Sequence, residues 1–384
     1  MERMSALDAT FLAIEDRSNH MHIGAIAVFD GTPPPHDEML AFVGTKLPFI
    51  PRYRQKLVVT PFGLARPRWA DDSRFRIENH VYRVGVPAPG GPDELRELIG
   101  YLMAQPLDRA RPLWELCVVE GLRGGGWALV TKVHHCMVDG IAGSDLLAVL
   151  LDTERSPEPV PLEEDWRPAP APSIVERAAS SLRAAADVPA RAARATASAA
   201  RSPRRFAREI ADTTRFALRL THPAPRSSLT GPIGPLRRWT TTDVDLDDVK
   251  AVRVAFGGTV NDVALTLVTA GLRDLLLTRG EAVDDRTVRT LVPVSVRAPD
   301  ARGVLDNRVA ALVADLPAGA RDPVARLDAV KHEMDGRKRS GETAGTGLVL
   351  AASDALLPPA AALVARLVAH HQHSVETVTT NVPG

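Results

Sequence analysis

Two adjacent histidines, followed by an aspartate and a glycine, form the segment of this sequence best suited to chemistry. Asp139 stands four residues after His135, the second of the pair His134-His135, and Gly140 follows it. A hydroxyl group attacks a carbonyl carbon slowly unless a base removes its proton. An imidazole with a pKa near ~6.5 suits that task at neutral pH. The carboxylate can hold the imidazole or pair with a distant arginine, and the glycine allows close approach. The pattern therefore indicates acyl transfer.

Other chemistries remain open for the same residue types. A lone histidine on a strand is usually a hydrogen-bonded core residue. A metal site near His135 would need a third ligand, and none is obvious locally. Cys136 could act as a nucleophile activated by His135, although cysteine is more often a small buried apolar residue. The histidine cluster at 370–373 could bind a metal, or it could end a helix whose dipole favours cationic side chains.

The elements predicted around the histidine pair are those of a mixed α and β region. Residues 127–133 are apolar at nearly every position, which is typical of a strand buried on both faces in the middle of a sheet. A glycine-rich turn links them to a strand at 114–119, so we expect a hairpin. A further strand is expected at 22–29 and a helix at 37–47. The histidines should therefore follow an interior strand.

The second part of the chain repeats a mixed α and β pattern. Further strands are expected at 239–244, 288–296, 308–316 and 375–380. Further helices are expected at 247–255 with Gly257 as C-terminal cap, at 259–277 with Thr259 as N-cap, near 323–337, and as a proline-interrupted pair within 345–369. We therefore divide the chain into an N-terminal half at 1–155, a helical crossover at 156–230 and a C-terminal half at 231–384.

The composition is that of a soluble globular protein with two or three domains. The chain has 384 residues, of which 45% are hydrophobic and 24% charged. Its 47 basic residues balance 47 acidic ones, which gives no general support for nucleic-acid binding. Two cysteines exclude a disulfide scaffold. No signal peptide or membrane-spanning run is recognisable, so we expect a cytoplasmic location.

The crossover concentrates positive charge. Residues 172–219 contain ten arginines and four acidic residues. A solvated helical connection between two domains would have this composition. So would a basic surface helix lying on anionic lipid, where each basic residue can contribute about 1 kcal/mol. The residues alone leave both interpretations open.

A series of motifs along the chain follows the order found in one bacterial family. The motifs are residues 5–15 (SALDATFLAIE), 112–114 (PLW), 134–140 (HHxxxDG), 231–234 (GPIG) with Arg237-Arg238, 259–263 (TVNDV), 293–297 (PVSVR) and 381–384 (NVPG). Through them the chain resembles the wax ester synthase/acyl-CoA:diacylglycerol acyltransferase family over essentially its whole length. HHxxxDG alone also occurs in carrier-protein condensation domains, whereas the ordered set is specific.

The resemblance implies an α/β fold like that of chloramphenicol acetyltransferase, with an active-site tunnel between two αβ halves. It implies an O-acyltransferase that moves a long-chain acyl group from acyl-CoA to diacylglycerol, giving triacylglycerol, or to a long-chain alcohol, giving a wax ester. No covalent acyl-enzyme and no cofactor are implied, because acyl-CoA is a co-substrate. The implied partners also include an anionic inner-membrane or lipid-droplet surface at the cytoplasmic side, and no nucleic acid.

The same resemblance implies roles for individual residues. His135 is the general base within a catalytic group that also contains His134 and Asp139, and Asp139 acts structurally by pairing with Arg297. Substrate binding or oxyanion stabilisation is implied for Gly140 and Asn261, although an asparagine at a helix start also suits a cap. Structural support is implied for a larger group: Arg297, Asp262, Pro112, Leu113 and Trp114. No metal ligand is implied.

Two features depart from the family's pattern. Asp306 precedes Asn307 where the family usually has glycine. Family members also continue for several tens of residues beyond the final motif, so we expect an incomplete C-terminal half with an exposed sheet edge. The alternative functions are therefore a carrier-protein-dependent condensation-type acyltransferase and a truncated, inactive relative that binds lipid surfaces.

Overall fold

The structure is a computed structural model of the chain. It describes residues 2–137 except 61, 62 and 64, residues 149–151, residues 166–295 except scattered positions between 172 and 221, and residues 309–339, 358–370 and 374–381. Asp139, Gly140 and Arg297 lie outside these ranges, as do Asp306 and Asn307. The first helix of the proline-interrupted pair also lies outside them. Their expected roles, and the three-part division of the chain, stay predictions.

The histidine pair belongs to a four-stranded sheet near the N-terminus. The elements of this region are α1 (Ala6–Ile14), β1 (His22–Phe29), α2 (His36–Lys46), β2 (Gln55–Val58), β3 (Arg68–Asp71), β4 (Val81–Gly85), α3 (Pro92–Ala104), β5 (Trp114–Glu120) and β6 (Trp127–His134). The sheet order is β1-β6-β5-β4, and β2 pairs separately with β3. Strand β6 is antiparallel to both neighbours, and β4 is parallel to β5. The predicted hairpin and interior strand are confirmed.

Both faces of this sheet are packed because successive side chains of each strand point to opposite sides. On one face, Trp114, Leu116 and Leu129 belong to a core that also contains Leu12 of α1 and Val43 of α2. On the other face, a second core joins strand residues to α3 and consists of Leu95, Ile99, Leu102, Cys117, Val119, Ala128 and Val130. Every residue of β6 is buried. The end of β6 is therefore a rigid support.

A three-stranded sheet forms the C-terminal region. Its elements, together with the crossover helix, are α4 (Ile174–Ala186), α5 (Leu246–Phe256), α6 (Val260–Thr278), β7 (Val288–Ser295), β8 (Val309–Leu316), α7 (Pro323–Arg339), α8 (Pro358–His370) and β9 (Thr377–Val378). The sheet order is β8-β7-β9, with β7 antiparallel to β8 and parallel to β9. Leu265 of α6 and Val330 of α7 pack with Val292 and Leu312 of the sheet.

The boundary between α5 and α6 is set by local sequence, as predicted. Gly257 ends α5 with a φ of +73°, a conformation that favours glycine. Thr259 caps α6, because its hydroxyl accepts the Asp262 amide at 3.2 Å while the Asp262 carboxylate accepts the Thr259 amide at 2.8 Å. This reciprocal pair is a capping box, which satisfies two amides that have no partner within the helix.

The predicted strand at 239–244 is wrong. Residues 239–245 are irregular, and no strand among the described residues pairs with them. Trp239 instead packs on the core beside α3, and its indole N–H donates to the Arg96 carbonyl at 3.1 Å. A run of β-branched residues favours an extended backbone, but a strand also needs a neighbour for its hydrogen bonds. The last predicted strand, at 375–380, is shortened to β9.

Among the described helices, no single one has both the length and the apolar character needed to cross a membrane. The pair α5 and α6 meets that requirement only when the two are taken together, and it is bent by 106° between them. Helix α8 has 13 residues, whereas a span needs about 20.

Candidate active site

The backbone of the histidine pair is held by both neighbouring strands. His134 is the last residue of β6, and His135 begins a single 3₁₀ turn. The His134 amide donates to the Leu113 carbonyl at 2.9 Å, and the His135 amide donates to the Met21 carbonyl at 2.7 Å. Leu113, just before β5, and Met21, just before β1, therefore hold the backbone from which the His134 and His135 side chains extend.

The His135 side chain is half-buried, and no other described residue is a hydrogen-bond partner of its ring. Its ring lies against Phe11 of α1, with 4.1 Å between ring centroids. Its Nδ1 is buried without a hydrogen-bond partner among those residues. Burial lowers the pKa of His135 below its ordinary value of 6.5, and the nearby His134 adds to this effect. The imidazole is therefore neutral at pH 7 and able to accept a proton.

His134 is oriented by contacts at both ring nitrogens. Its side chain is completely buried. Nδ1 accepts the Cys136 amide at 3.0 Å, and Nε2 lies 3.4 Å from Oε1 of Glu15. Because Nδ1 accepts a hydrogen bond, the proton of the neutral ring is on Nε2, facing the carboxylate. His134 thus links α1 to the turn that carries His135.

Glu15 is the centre of a polar cluster that the sequence did not reveal. Besides the contact with His134, its carboxylate accepts Nε of Arg109 at 3.0 Å and the Met21 amide at 3.3 Å, and lies 3.5 Å from Nε2 of His22. Burial favours the protonated acid, but the contacts with His134 and Arg109 outweigh it and lower the pKa of Glu15 to about 2. Glu15 belongs to the N-terminal motif at residues 5–15, and no other feature of the sequence indicated that it has a functional role.

The segment Pro112, Leu113 and Trp114 lies directly beside the histidine pair. Trp114 is fully buried, and its indole N–H donates to the Tyr53 carbonyl at 2.8 Å. Its ring stacks on His80 with 4.7 Å between centroids. Leu113, also fully buried, accepts the His134 amide through its carbonyl. These contacts are those of a support for the end of β6.

Asn261 and Asp262 lie at the start of α6, which packs against α5, α7 and β8. Asn261 is half-buried, and its side chain makes no hydrogen bond to any described residue. The buried Asp262 carboxylate is used in the capping box with Thr259. Neither side chain hydrogen-bonds to His134 or His135 among the described residues, so the direct role implied for Asn261 stays a prediction.

The alternative chemistries find little support at this site. Cys136 is buried, and burial raises the pKa of its thiol well above the ordinary value. A protonated, buried thiol is a poor nucleophile, because the thiolate is the reactive form. His370 ends α8, and positions 371–373 lie outside the described residues, so the metal alternative for that cluster stays untested.

An apolar cavity of about 320 Å³ opens beside His22, on the side of the sheet covered by α3. Gly24 and Ile26 of β1 and Ile99 and Met103 of α3 are among its lining residues. Arg237 lies at its rim, and its guanidinium donates to the Ser18 carbonyl at 2.6 Å. The cavity therefore lies where the segment after the crossover meets the N-terminal sheet.

Comparison with known proteins decides the family. A model described as the wax ester synthase/diacylglycerol acyltransferase catalytic domain matches residues 4–264, and a WS/DGAT C-terminal domain model matches residues 305–384. The chain belongs to this family. It is therefore an acyltransferase, and the identification made from the ordered motifs is confirmed.

Mycobacterial members of the WS/DGAT family resemble the chain over its whole length. The probable diacylglycerol O-acyltransferase tgs1 of Mycobacterium tuberculosis is 38% identical over 387 residues, covering 100% of this chain and 81% of the relative. The putative diacylglycerol O-acyltransferase Rv1760 of the same organism is 32% identical over 394 residues, covering 100% of this chain and 77% of the relative.

Solved structures confirm the fold predicted for a WS/DGAT protein. The wax ester synthase/diacylglycerol acyltransferase from Marinobacter aquaeolei VT8 aligns with a TM-score of 0.63 at 25% identity, covering 100% of this chain and 82% of that chain. The first condensation domain of the calcium-dependent antibiotic synthetase aligns with a TM-score of 0.53 at 18% identity, covering 88% and 75%. The chain thus has the two-lobed α/β fold of the chloramphenicol acetyltransferase type. The likeness to the condensation domain concerns the fold alone.

Proposed function

We propose that this chain transfers a long-chain acyl group from acyl-CoA to the hydroxyl group of diacylglycerol or of a long-chain alcohol. The observation that carries the proposal is the position of His135. It is a neutral, half-buried imidazole at the end of a rigid interior strand, with Nδ1 unpaired among the described residues. The names of the mycobacterial relatives support diacylglycerol as the acceptor.

In this proposal His135 is a general base and then a general acid. The imidazole takes the proton of the acceptor hydroxyl while the oxygen attacks the thioester carbonyl, forming a C–O bond and a tetrahedral intermediate. The intermediate collapses by breaking the C–S bond. The imidazolium returns the proton to the departing thiolate, so the products are the ester and free CoA. No covalent bond to the protein forms, and a base of this kind typically contributes ~10²–10⁴-fold to the rate.

The neighbouring residues hold this base rather than react. Glu15 and the Cys136 amide fix the His134 ring, and the main-chain contact of Leu113 fixes the strand end. A misplacement of about 1 Å at such a site can cost about 100-fold in rate. Pairing between Asp139 and Arg297, and stabilisation of the oxyanion by Asn261, remain part of the proposal on the resemblance alone.

We also propose that the chain binds a lipid surface at the cytoplasmic side through α4. Ile174, Val175 and Leu182 of this helix are 70%, 77% and 69% exposed. Val175 and Leu182 are seven residues apart, close to two helical turns, and so lie on one face of the helix. Arg183, near the C-terminal end of the same helix, adds positive charge. Exposed apolar residues with basic neighbours on one helix suit the interface of anionic lipid.

Thiol release from palmitoyl-CoA tests the enzymatic proposal. The assay compares diolein and hexadecanol as acceptors and includes the His135→Ala variant. Acceptor-dependent release that requires His135 supports the proposal, and the better acceptor indicates the specificity. Release that does not depend on an acceptor would indicate thioester hydrolysis instead. Release that requires an acyl-carrier-protein thioester in place of palmitoyl-CoA would favour a condensation-type donor.

A further inference from the structure

A second cavity, of about 540 Å³, lies in the N-terminal region and collects basic side chains. It is lined by Lys56 of β2, by Arg74 and Arg76 from the loop after β3, and by Arg111 from the loop before β5. Two acidic residues, Asp72 and Asp108, also line it. The lining is therefore net positive, which suits an anionic ligand.

The two acids do not neutralise all of this charge. Asp72 accepts Nζ of Lys56 at 2.7 Å, and Asp108 lies 3.2 Å from Nε of Arg111. The exposed guanidinium of Arg74 makes no ion pair or hydrogen bond to any described residue, and Arg76 has only a 3.7 Å contact with the exposed Glu78. A guanidinium presents a planar set of donors that matches phosphate oxygens.

One wall of the basic cavity is rigid and carries a hydrogen-bond acceptor. His80 is buried between the rings of Phe75 and Trp114, with centroid distances of 5.3 and 4.7 Å. Its Nδ1–H donates to the Trp114 carbonyl at 2.9 Å. Because that proton is on Nδ1, the neutral ring keeps a lone pair at Nε2. The wall can therefore accept a hydrogen bond from a hydroxyl or amino group.

The basic cavity and the histidine pair lie at the same end of the sheet. Strand β6 ends at His134, β5 begins at Trp114 opposite Val133, and β4 begins just after His80, at Val81. Neighbouring strands are about 4.8 Å apart, and Val81 is level with Leu116 and with Thr131, which precedes His134 by three residues, so the start of β4 is roughly 14 Å from the end of β6. The loop that supplies Arg111 also supplies Arg109, which holds Glu15.

We propose that the basic cavity binds the phosphate-bearing end of acyl-CoA. This inference rests on the proposed function, which requires acyl-CoA as donor. The phosphates and the thioester of that molecule lie at opposite ends of the pantetheine arm, which is longer than the separation of the basic cavity from His134. The pantetheine arm therefore has the length needed to join phosphates held by Arg74 and Arg76 to a thioester at His135.

Calorimetric titration with free CoA tests the inference without turnover. The double variant Arg74→Gln/Arg76→Gln should weaken CoA binding about tenfold or more, and the single variant Arg74→Gln should weaken it less. A matched control with the same loss of charge, Arg253→Gln/Arg321→Gln, changes two exposed arginines of the C-terminal region and should bind CoA as the wild type does. Unchanged CoA binding in the double variant, or no CoA binding by the wild type, overturns the inference.

Kinetics with two acyl donors distinguish the contribution of the phosphates to binding from that of the rest of acyl-CoA. The double variant should raise KM for palmitoyl-CoA about tenfold and leave KM for palmitoyl-pantetheine unchanged, because the latter lacks the nucleotide phosphates. An equal effect on both donors, or a loss of affinity for phosphatidylglycerol vesicles with no effect on CoA, overturns the assignment. CoA binding that depends on Arg74 and Arg76 but is not accompanied by acceptor-dependent thiol release would contradict the proposed function. It would support the assignment of the basic cavity as a CoA-binding site.

Discussion

The carboxylate of Glu15 lies 3.4 Å from Nε2 of His134, joining the end of α1 to the end of β6. His134 in turn accepts the Cys136 amide within the turn that carries His135. Two contacts thus connect an ionised, largely buried carboxylate to the placement of His135, the proposed base. The first histidine of the pair is completely buried, whereas the second is only half-buried.

Replacing Glu15 should slow the reaction without weakening substrate binding. The Glu15→Gln variant keeps an oxygen acceptor for His134 but loses the charge that holds Arg109, so we expect kcat to fall about 10- to 100-fold with KM for palmitoyl-CoA unchanged. Glu15→Ala should lose more. The control Glu120→Gln removes a carboxylate that pairs with Arg83 at the other end of β5. Full kcat in Glu15→Gln would contradict the positioning role.

Removing the imidazole of His135 should abolish most of the turnover. His135→Ala should reduce kcat by roughly 10²–10⁴-fold, because the acceptor hydroxyl then has no base. Circular dichroism should show an unchanged fold, since the side chain is not part of the buried core. His332→Ala, an exposed position on α7, is the matched control. Substantial turnover by His135→Ala would show that another group removes the proton.

The dependence of kcat/KM on pH should reflect the lowered pKa of His135. A base acts in its unprotonated form, so activity falls as the pH drops through its pKa. Because burial lowers the pKa of His135 below 6.5, the acidic limb should have its midpoint below pH 6.5. Initial rates at constant ionic strength from pH 4.5 to 8 measure this midpoint. A midpoint clearly above 6.5 would count against a buried neutral imidazole as the base.

Acid should destabilise the protein through His22. Burial and the charge of Lys132 lower its pKa from 6.5 to about 4, against the opposing effect of Glu15; His20 and His134 also face it. The unfolded chain therefore binds the proton first, and stability that is present above pH 6.5 is lost as the pH falls toward 4. The loss amounts to up to about 3 kcal/mol.

Urea unfolding at pH 7.5 and pH 4.5 measures the contribution of His22. His22→Phe should lose less of its free energy of unfolding between these two pH values than the wild type does. His332→Phe reports the effect of the same replacement at an exposed site. An equal loss in His22→Phe and the wild type would show that other groups carry the acid sensitivity.

Charged residues on the exposed face of α4 should weaken lipid binding. The variant Val175→Asp/Leu182→Asp should reduce co-sedimentation with anionic vesicles at least tenfold, because each buried apolar side chain contributes about 1.5–3 kcal/mol. Leu246→Asp/Val254→Asp changes two exposed apolar residues of α5 and should bind as the wild type does. Equal binding by wild type and the α4 variant would place the lipid contact elsewhere.

The sequence alone predicted the elements whose signals are local. Residues 127–133 are apolar on both faces, and a strand of that kind is stable only between two others, as β6 is between β1 and β5. Thr259 and Gly257 mark helix ends because capping depends on residues only a few positions apart. The motifs identified the family because both their residues and their order are visible in the sequence itself.

Other features were decided by the tertiary structure. The threonine-rich segment at 239–244 has the composition of a strand, but folding brings it against α3, where the Trp239 side chain hydrogen-bonds to Arg96 and the backbone pairs with no strand among the described residues. Glu15 reaches His134 only because β1 and β6 pair, and Arg74 joins Arg111 at one cavity only because β4 and β5 start at the same end of the sheet. Local propensity determined which elements form and where they end. Contacts between residues far apart in the chain depend on how the sheets pack, so no local pattern could show which side chains would meet.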